Sequence, residues 1–524
     1  MKINLDSRSE NNKRIAKNTA FLYGRTLFSM FIALYTSRIV LDVLGKIDFG
    51  IYDVVGGVVA MFTILSGSLS AAVSRFLTFE LGINNKEKLK KIFSISILIH
   101  IGLAIIVFIL AESVGLWFIN NKMNIPPERM EAANWVWQCS IFTFILNLIS
   151  VPYNAAIIAH ERMKAFAYIS ILDVLLKLIV AIILIKSPFD NLILYAVSLL
   201  TVAIITRLIY GIYCKRNFEE CTFSFVFDKN LVKEMIGFAG WNFIGVSAAV
   251  LRDQGVNIAI NIFCGPALNT ARAVSVQVNF AVNSFMTNFT TALNPQITKS
   301  YATKELDYMH SLIRKGSRFS FYLLMLLVLP LLLETEFILN IWLKEVPAHA
   351  VLFTRLMLLL SLIDSLSPTL ITAMLATGKI RNYQLVVGGL YMLNFPVSYI
   401  LLKSGFFPEI TVVVAIILSS CCLLARLIML RKMIELSARL FIQSVVLNIF
   451  FVFIVSAIVP TIVFSYMDES WLRFFSVVPL SVLCASLSIY FIGLSKQERA
   501  FTREKVKHLQ RNIFSKYKDT KTQR

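Results

Sequence analysis

LDVLGKIDFGIYDVV (residues 41–55) and INIFCGPALNTARAV (residues 260–274) are two stretches of one chain that follow the same plan. Each closes one apolar helix at a glycine turn and opens the next. A second pair, AIIAHERMKAFAY (residues 156–168) and AMLATGKIRNYQL (residues 373–385), ends an apolar helix in a basic, aromatic turn. The two pairs have nearly the same offset along the chain. Such agreement favours an internal repeat over the chance likeness of two hairpins.

The composition excludes an ordinary soluble enzyme. The chain has 524 residues, of which 57% are hydrophobic and 16% charged, whereas a soluble domain is roughly 25% charged. The net charge of +20 does not indicate nucleic-acid binding, because the basic residues lie between apolar stretches instead of forming a basic face. The seven cysteines form no spaced framework, so neither a disulfide scaffold nor a zinc site is indicated.

Apolar stretches long enough to cross a bilayer recur along the whole chain. A transmembrane helix needs about 20 predominantly apolar residues. The sequence therefore predicts an all-α fold with fourteen transmembrane helices, with the approximate limits 19–41, 49–73, 92–118, 132–157, 167–186, 191–213, 235–264, 267–297, 317–334, 350–376, 384–403, 410–430, 443–466 and 472–494.

The connections between these helices differ in basic content. With a cytoplasmic start, the inner segments hold 35 Lys and Arg residues and the outer connections hold 7. Cytoplasmic loops of membrane proteins carry the excess of basic residues. The bias predicts that both termini face the cytoplasm.

The two repeat offsets span six helices each, so two six-helix halves of the same orientation should be related by a pseudo-two-fold axis along the membrane normal. A C-terminal helix hairpin is then added to this twelve-helix body. The predicted organisation is a cytoplasmic segment 1–18, a first half 19–213, a linker 214–234, a second half 235–430, extra helices 431–494 and a basic tail 495–524.

Arginines stand inside the predicted spans, where a charge is costly and marks a candidate functional site. Arg25 and Arg38 lie in helix 1, Arg252 in helix 7 and Arg272 early in helix 8. Helices 1, 2, 7 and 8 hold equivalent places in the repeat, so these arginines are predicted to face one another across a cationic cavity. Such a cavity attracts anions, and the planar guanidinium suits phosphate. A headgroup role for Arg38, which lies near the outer end of its helix, is equally compatible.

Three further polar residues are candidates for ion coupling or charge balance. Asp53 falls in the repeat-equivalent region of helix 2, and Asp253 follows Arg252 on helix 7. Asp253 could neutralise a neighbour or, with Asn257 one turn later, bind a coupling proton or sodium ion.

Other intramembrane polar residues favour structural roles. Asp173 and Lys177 are spaced i,i+4 and should pair, and three arginines near helix ends should extend to the headgroups: Arg207, Arg355 and Arg426. The Asn-, Ser- and Thr-rich helix 8 must face protein or water. Contact between helices is the preferred explanation for it, and contact with sugar or phosphate is the alternative.

Several chemistries have no motif in the chain. It contains no Walker A sequence, and its five histidines show no metal-ligand spacing. We therefore expect no catalytic residues, no metal and no cofactor, apart from H⁺ or Na⁺ as a coupling ion.

Seven segments together resemble the polysaccharide branch of the multidrug/oligosaccharidyl-lipid/polysaccharide (MOP) exporter superfamily, the Wzx-type lipid-linked oligosaccharide flippases. They are Arg38 with LDVLGKIDFGIYDVV, SRFLTFELG from Ser74, AAIIAHERMKAFAYI from Ala155, ALNTARAVSVQV from Ala267, ALNPQITKSYA from Ala292, NIWLKEVP from Asn340 and ATGKIRNY from Ala376. The resemblance covers residues 38–383, and the C-terminal third matches only in pattern.

The resemblance implies the arrangement of the related MATE drug exporters and a flippase that moves a polyprenyl-diphosphate-linked oligosaccharide to the outer leaflet of a bacterial inner membrane. Its partners would be that lipid-linked glycan, membrane lipids and other glycan-assembly proteins, with no nucleic acid, and the protein would be a monomer. The alternatives are a peptidoglycan-precursor flippase, a drug/cation antiporter on the same fold, and a membrane glycan polymerase or ligase.

Overall fold

The computed structural model describes residues 2–60, 62–122, 125–224, 228–264, 266–343, 346–500 and 503, and these are almost entirely helical. The predicted all-α fold class is confirmed. The first half contains α1 (Lys2–Ala60), α2 (Thr63–Gly82), α3 (Lys86–Leu110), α4 (Leu116–Lys122), α5 (Met130–Ala159), α6 (Met163–Leu184) and α7 (Asn191–Asn217).

The second half begins at α8 and is followed by an additional hairpin. Its helices are α8 (Lys229–Cys264), α9 (Pro266–Ala302), α10 (Leu306–Leu333), α11 (Thr335–Trp342), α12 (Ala350–Asp364), α13 (Pro368–Thr377), α14 (Arg381–Met392), α15 (Asn394–Lys403) and α16 (Ile410–Ile434). The hairpin contains α17 (Ala438–Phe441), α18 (Leu447–Tyr466) and α19 (Trp471–Ser488).

Two breaks inside long helices follow from the local sequence. Gly45 interrupts α1 with a φ of 72° and a ψ of 174°, values that residues with a side chain rarely adopt. This break separates predicted helices 1 and 2. Predicted helix 10 is bent by 42° between α12 and α13, where Pro368 begins α13 and cannot donate a helical hydrogen bond.

Within the described residues, eleven helices are long and apolar enough to cross a membrane, or twelve if α12 and α13 form one bent span. Predicted helix 8 corresponds to α9, a 37-residue helix whose amide and hydroxyl side chains lower its hydropathy. Predicted helix 2 runs from α1 into α2. The count of fourteen is compatible with this structure and stays a prediction.

The two halves repeat the same packing. In the first half, α1 packs against α6 and α5 packs against α7. In the second, α8 packs against α14 and α15, while α12 and α13 pack against α16. Across the halves, α1 contacts α9 and α2 contacts α8, a pair of contacts that exchanging the halves would leave unchanged. The pseudo-two-fold arrangement is therefore present, whereas the residue limits given for the separate regions stay predictions.

The buried apolar residues divide the bundle into a joined end and a separated end. One large cluster draws residues from both halves, including Phe76 and Phe93 of the first half and Leu293 and Leu370 of the second. Two other clusters each belong to a single half, one around Trp137 and the other around Phe353. The halves are thus packed together at one end, here called the closed end.

The additional hairpin is fixed to α10 of the second half. The guanidinium of Arg473 donates two hydrogen bonds of 3.1 Å to the buried carboxylate of Glu334. Arg318 pairs with Glu498 at 2.6 Å. Because α10 also packs directly against α18 and α19, apolar and ionic contacts hold the hairpin to the same helix.

Candidate functional site

A cavity of about 450 Å³ lies inside the second half, between α8, α9, α12, α15 and α16. Among its lining residues are two arginines, two aspartates and three asparagines: Arg252, Arg272, Asp253, Asp364, Asn257, Asn279 and Asn394. The structure therefore brings together Arg252 and Arg272, two of the four arginines predicted to bind substrate. It also places Asp253 and Asn257, two of the three predicted coupling residues, in the same cavity.

Arg252 is held by groups of its own half. Its Nε donates to Oδ1 of the neighbouring Asp253 at 3.1 Å, and its guanidinium carbon lies 4.8 Å from the centre of the Tyr391 ring. A cation over an aromatic face is stabilised by the ring quadrupole. Asp253 therefore partly neutralises the arginine beside it, although the two side chains leave the helix in different directions.

Arg272 has unused hydrogen-bonding capacity. The residue is only 5% exposed, and its Nη1 donates to Oδ1 of Asn257 at 2.9 Å. Its Nε–H is buried and has no acceptor. A buried donor without a partner costs about 1–3 kcal/mol, so an acceptor that enters this cavity would be stabilised by Arg272.

The other predicted substrate-binding arginines lie outside this cavity. Arg25 lies where α1 meets α9, donates to Oδ1 of Asn288 at 3.1 Å and is 5.2 Å from the Phe166 ring centre. Arg38 is exposed further along α1. The side chain of Asp53 lies outside the described residues. The arrangement of all these arginines around one central cleft stays a prediction.

The first half contains a smaller cavity, and the described residues that line it carry no charged side chain. Its volume is about 200 Å³, and its polar lining consists of hydroxyl, thiol and amide groups: Tyr52, Ser140, Thr143, Cys139 and Asn147. When the halves are aligned on the second repeat pair, Asn147 stands opposite Asp364. The two halves thus carry an amide and a carboxylate at equivalent positions.

A buried carboxylate joins the halves at the closed end. Glu161, in the turn between α5 and α6, has a side chain that is 1% exposed. It accepts hydrogen bonds from Nζ of Lys299 at 2.7 Å and from Nε2 of Gln296 at 2.8 Å, both on α9. Arg14 of α1 lies 2.7 Å away. This cluster, the Glu161 clasp, holds α1, the α5–α6 turn and α9 together.

Sequence reasoning missed two functional candidates, Glu161 and Asp364. Glu161 falls within the repeated AHERMK turn, and nothing in that pattern shows that α9 packs over it. Asp364 had a usable pattern, because it is a single carboxylate within the apolar segment LLLSLIDSL. The rule applied to the intramembrane arginines would have selected it.

The structural explanations for other polar residues can be compared with their contacts. Asp173 and Lys177 pair at 2.8 Å, as predicted. The prediction that Arg426 extends to the headgroups is wrong: the residue is 1% exposed and donates to Ser367 and Tyr391, each at 2.9 Å. Its fork geometry matches two acceptors inside the bundle, which offsets the cost of burial.

The polar face of α9 mainly connects helices. Asn288 donates to the Thr26 hydroxyl at 2.6 Å, and Asn283 donates to the Ser361 hydroxyl at 3.1 Å. Thr372 donates to Oδ1 of Asn294 at 2.8 Å. These bonds tie α9 to α1, α12 and α13, and they favour contact between helices as the role of this run.

A family model described as polysaccharide biosynthesis protein matches residues 15–267. The uncharacterized membrane protein EpsK of Bacillus subtilis (strain 168) is 20% identical over 317 residues, which cover 59% of this chain and 61% of the relative. The match therefore spans less than two thirds of that relative's length.

Solved structures show the fold. An outward-facing multidrug resistance MATE family transporter of the MOP superfamily has a TM-score of 0.72 at 11% identity, covering 81% of this chain and 96% of that one. A MOP superfamily transporter from Pyrococcus furiosus, described as having a binding pocket of reverse polarity, has a TM-score of 0.68 at 11% identity, covering 80% of this chain and 96% of that one.

Proposed function

We propose that this chain is a polysaccharide transporter of the MOP superfamily of membrane proteins. It carries a polyprenyl-diphosphate-linked oligosaccharide from the cytoplasmic to the outer leaflet of a bacterial inner membrane by alternating access. The diphosphate and the sugar must stay solvated while the polyprenyl tail remains in lipid. A polar cavity inside a helix bundle meets the first requirement, and a gap between the two halves meets the second.

The observation that carries this proposal is the pair of arginines in the second-half cavity. Arg252 and Arg272 line one space of about 450 Å³, and Arg272 has a buried Nε–H with no acceptor. Phosphate oxygens accept charge-assisted hydrogen bonds from guanidinium groups, which stay charged at every working pH. The cavity is thus suited to an anion that provides several acceptors.

Alternating access needs two halves that can separate at either end. The halves share one apolar cluster and the Glu161 clasp at the closed end, whereas the clusters around Trp137 and Phe353 each remain within one half. With both termini cytoplasmic, the closed end faces the cytoplasm and the cavity is reached from the outer side. Opening the clasp and joining the other end would reverse this access.

The two aspartates of the cavity provide a route for coupling to an ion gradient. If both are ionised, Asp253 and Asp364 balance Arg252 and Arg272 in formal charge. A diphosphate entering the cavity then adds negative charge, which a proton or a sodium ion on a carboxylate would compensate. The transporter would act as a monomer, without a catalytic step, and receive its substrate from other glycan-assembly proteins.

Arginine variants of the full-length protein test the proposal. We expect that Arg272→Ala and Arg252→Ala abolish export of surface glycan, and that Arg25→Ala reduces it, while membrane insertion is unchanged. Arg431→Ala, which removes an exposed arginine at the end of α16, is the matched control and should preserve export. Normal glycan in both cavity variants would contradict the anion-binding cavity.

A drug/cation antiporter is a second candidate, since Asp253 and Asp364 could also attract a cationic substrate. The same variants separate the two functions. Resistance to cationic drugs that depends on Asp364 but not on Arg272 would favour the antiporter, and glycan export that depends on Arg272 would favour the flippase.

A further inference from the structure

Two turns at the closed end occupy equivalent positions of the repeat. Glu161 and Gly378 are each the sixth residue of their segment in the second repeat pair, and both have a left-handed backbone, with φ values of 58° and 76°. Glycine adopts this conformation freely, while other residues adopt it at a cost. The repeat has therefore retained the shape of the turn, and only the first half places a side chain there.

That side chain supplies an anion to the first seam, where α1 meets α9. The carboxylate of Glu161 is surrounded by Arg14, Gln296 and Lys299. The cations of this seam are therefore satisfied from within the protein.

Among the described residues, the second seam, where α2 meets α8 and the α13–α14 turn, lacks a carboxylate at the position equivalent to Glu161. Arg75 of α2 occupies the space beside Gly378, where an added Cβ would lie 2.6 Å from its Nη2. Its Nη2 donates to the carbonyl oxygen of Ala376 at 3.4 Å, and its Nε–H is buried without an acceptor. The nearest carboxylate, on the exposed Glu234, is 4.0 Å away. Arg75 is therefore incompletely satisfied.

A cavity of about 190 Å³ opens at this second seam, and Lys379 and Arg381 line it together with Arg75. Glu234 is the one carboxylate among the described lining residues, against three cations. The walls are aromatic: Arg75 lies 5.6 Å from the Phe238 ring centre, and Arg381 lies 5.3 Å from that of Trp241. The site thus combines an excess of positive charge with apolar surface beside it.

We propose that this cavity, here called the second-seam site, binds the phosphate groups of a lipid headgroup. The ligand's anion takes the place that the Glu161 carboxylate holds in the first seam. The inference deepens the proposed function and rests on it: the diphosphate of the lipid-linked glycan docks at the seam before it enters the cavity of the second half.

The position of the site agrees with this ligand. Basic sites between helices at the cytoplasmic surface bind anionic headgroups, and Trp and Tyr are enriched at that depth. A water molecule occupies roughly 30 Å³, so the cavity has room for an anion larger than one water. Because the site lies where the two halves meet, separation of α2 from α8 would let the hydrocarbon chain remain in lipid.

The test measures binding of farnesyl diphosphate to the full-length protein in phosphatidylcholine nanodiscs by titration calorimetry. Two backgrounds are compared, the parent protein and the Arg272→Ala variant, which lacks one arginine of the second-half cavity. In each background, binding is measured with and without the paired substitutions Lys379→Ala and Arg381→Ala. Lys379 and Arg381 are both exposed, and the contact of Arg381 with Trp241 lies within the second half, so the fold should persist. Lys90→Ala, an exposed residue of the same end, is the control.

We expect the double variant to weaken binding about tenfold or more in the Arg272→Ala background, as the loss of charge-assisted hydrogen bonds predicts. The control should bind as the parent does, and farnesol should not bind. Equal affinity with and without Lys379 and Arg381 in both backgrounds would overturn the second-seam site and leave the proposed function intact.

A parent protein that does not bind farnesyl diphosphate at all would overturn both proposals. Nanodiscs that contain phosphatidylglycerol distinguish the source of the phosphate. If that lipid competes only weakly, the site selects the diphosphate of the substrate. Competition that abolishes farnesyl diphosphate binding would assign the site to bulk anionic lipid and overturn its role in substrate docking.

Discussion

The two halves of this protein have the same packing of helices but carry their charges in different places. In the first half, the cavity around Asn147 has no charged group among its described lining residues, and the turn at the closed end carries a carboxylate, Glu161. The second half has Asp364 in its cavity and Gly378 in its turn. One alignment of the halves places Asn147 opposite Asp364 and Glu161 opposite Gly378. The two halves therefore share their backbone arrangement, whereas their ionisable side chains lie at different positions of the repeat.

A third pair, at the opposite end of the bundle, follows the same rule. Asp190 precedes α7 and Glu409 precedes α16, and the two acids coincide when the halves are aligned on the first repeat pair. Asp190 binds Arg129 at 2.5 Å, whereas Glu409 binds His349 at 2.6 Å. The acid is common to both halves, and the base differs.

The largest expected effect comes from removing the carboxylate that only the first turn has. Glu161→Gln removes the buried carboxylate that Arg14 and Lys299 share, and loss of one partner from a buried ion pair costs about 3 kcal/mol. We expect a lower melting temperature and opening of the closed end, measured as a longer distance between spin labels at positions 84 and 304.

Glu219→Gln is the matched control, because its partner Lys86 and Glu219 itself are both highly exposed. Such surface pairs contribute roughly 0–1 kcal/mol. Similar losses of stability in the two variants, with no change in the spin-label distance, would show that the Glu161 clasp does not hold the halves together.

An intermediate effect is expected from adding a side chain to the second turn. Gly378→Ala meets two costs, the left-handed backbone and the approach of its Cβ to Arg75 at 2.6 Å. Gly405→Ala meets only the first, since its φ is 84° and nothing lies within 4 Å of the added Cβ. The backbone cost is roughly 1–2 kcal/mol.

Thermal unfolding of the two glycine variants therefore isolates the contact with Arg75. We expect Gly378→Ala to lower the melting temperature more than Gly405→Ala does. Equal losses would mean that Arg75 moves away freely and does not hold the second seam.

The smallest effect concerns the acid shared by both halves. Hydrogen bonds from Arg129 hold the pKa of Asp190 below its ordinary value. The pair therefore stabilises the folded state above the pKa of the unfolded carboxyl, and this contribution is lost as the pH falls through the lower pKa of the folded protein. Its size is about 1 kcal/mol or less because both side chains are partly exposed.

Asp190→Asn keeps an acceptor for the backbone N–H groups of Leu192 and Ile193, which Asp190 caps. The variant should unfold with a weaker dependence on pH in the acid range. An unchanged acid dependence, measured by thermal unfolding at several pH values, would show that this pair does not contribute.

The architecture was largely predictable from the sequence, because the bilayer constrains helices strongly. Apolar length gave the spans, the turns at Gly45 and around Pro266 gave two breaks, and the offsets gave the repeat. The bend before Pro368 was not predicted, since a proline within an apolar run can either kink a helix or be accommodated.

The candidate site was predictable only in part. Arg252 and Arg272 stood out as charges in apolar surroundings, and the structure places both in one cavity. Arg426, which is predicted to extend to the headgroups, instead donates to Ser367 and Tyr391 inside the bundle. What separates these cases is the set of partners on other helices, which hydropathy and spacing along one helix do not reveal.

The hairpin of α17–α19 is a suitable attachment site for a reporter group. The Arg473–Glu334 pair joins α19 to the residue that follows α10, and the Arg318–Glu498 pair joins α10 to the segment that follows α19. The hairpin should therefore move together with the second half. A fluorophore on the α18–α19 loop, combined with one on the first half, would then report the distance between the two halves. Such a reporter records the swing of one half against the other without touching either cavity.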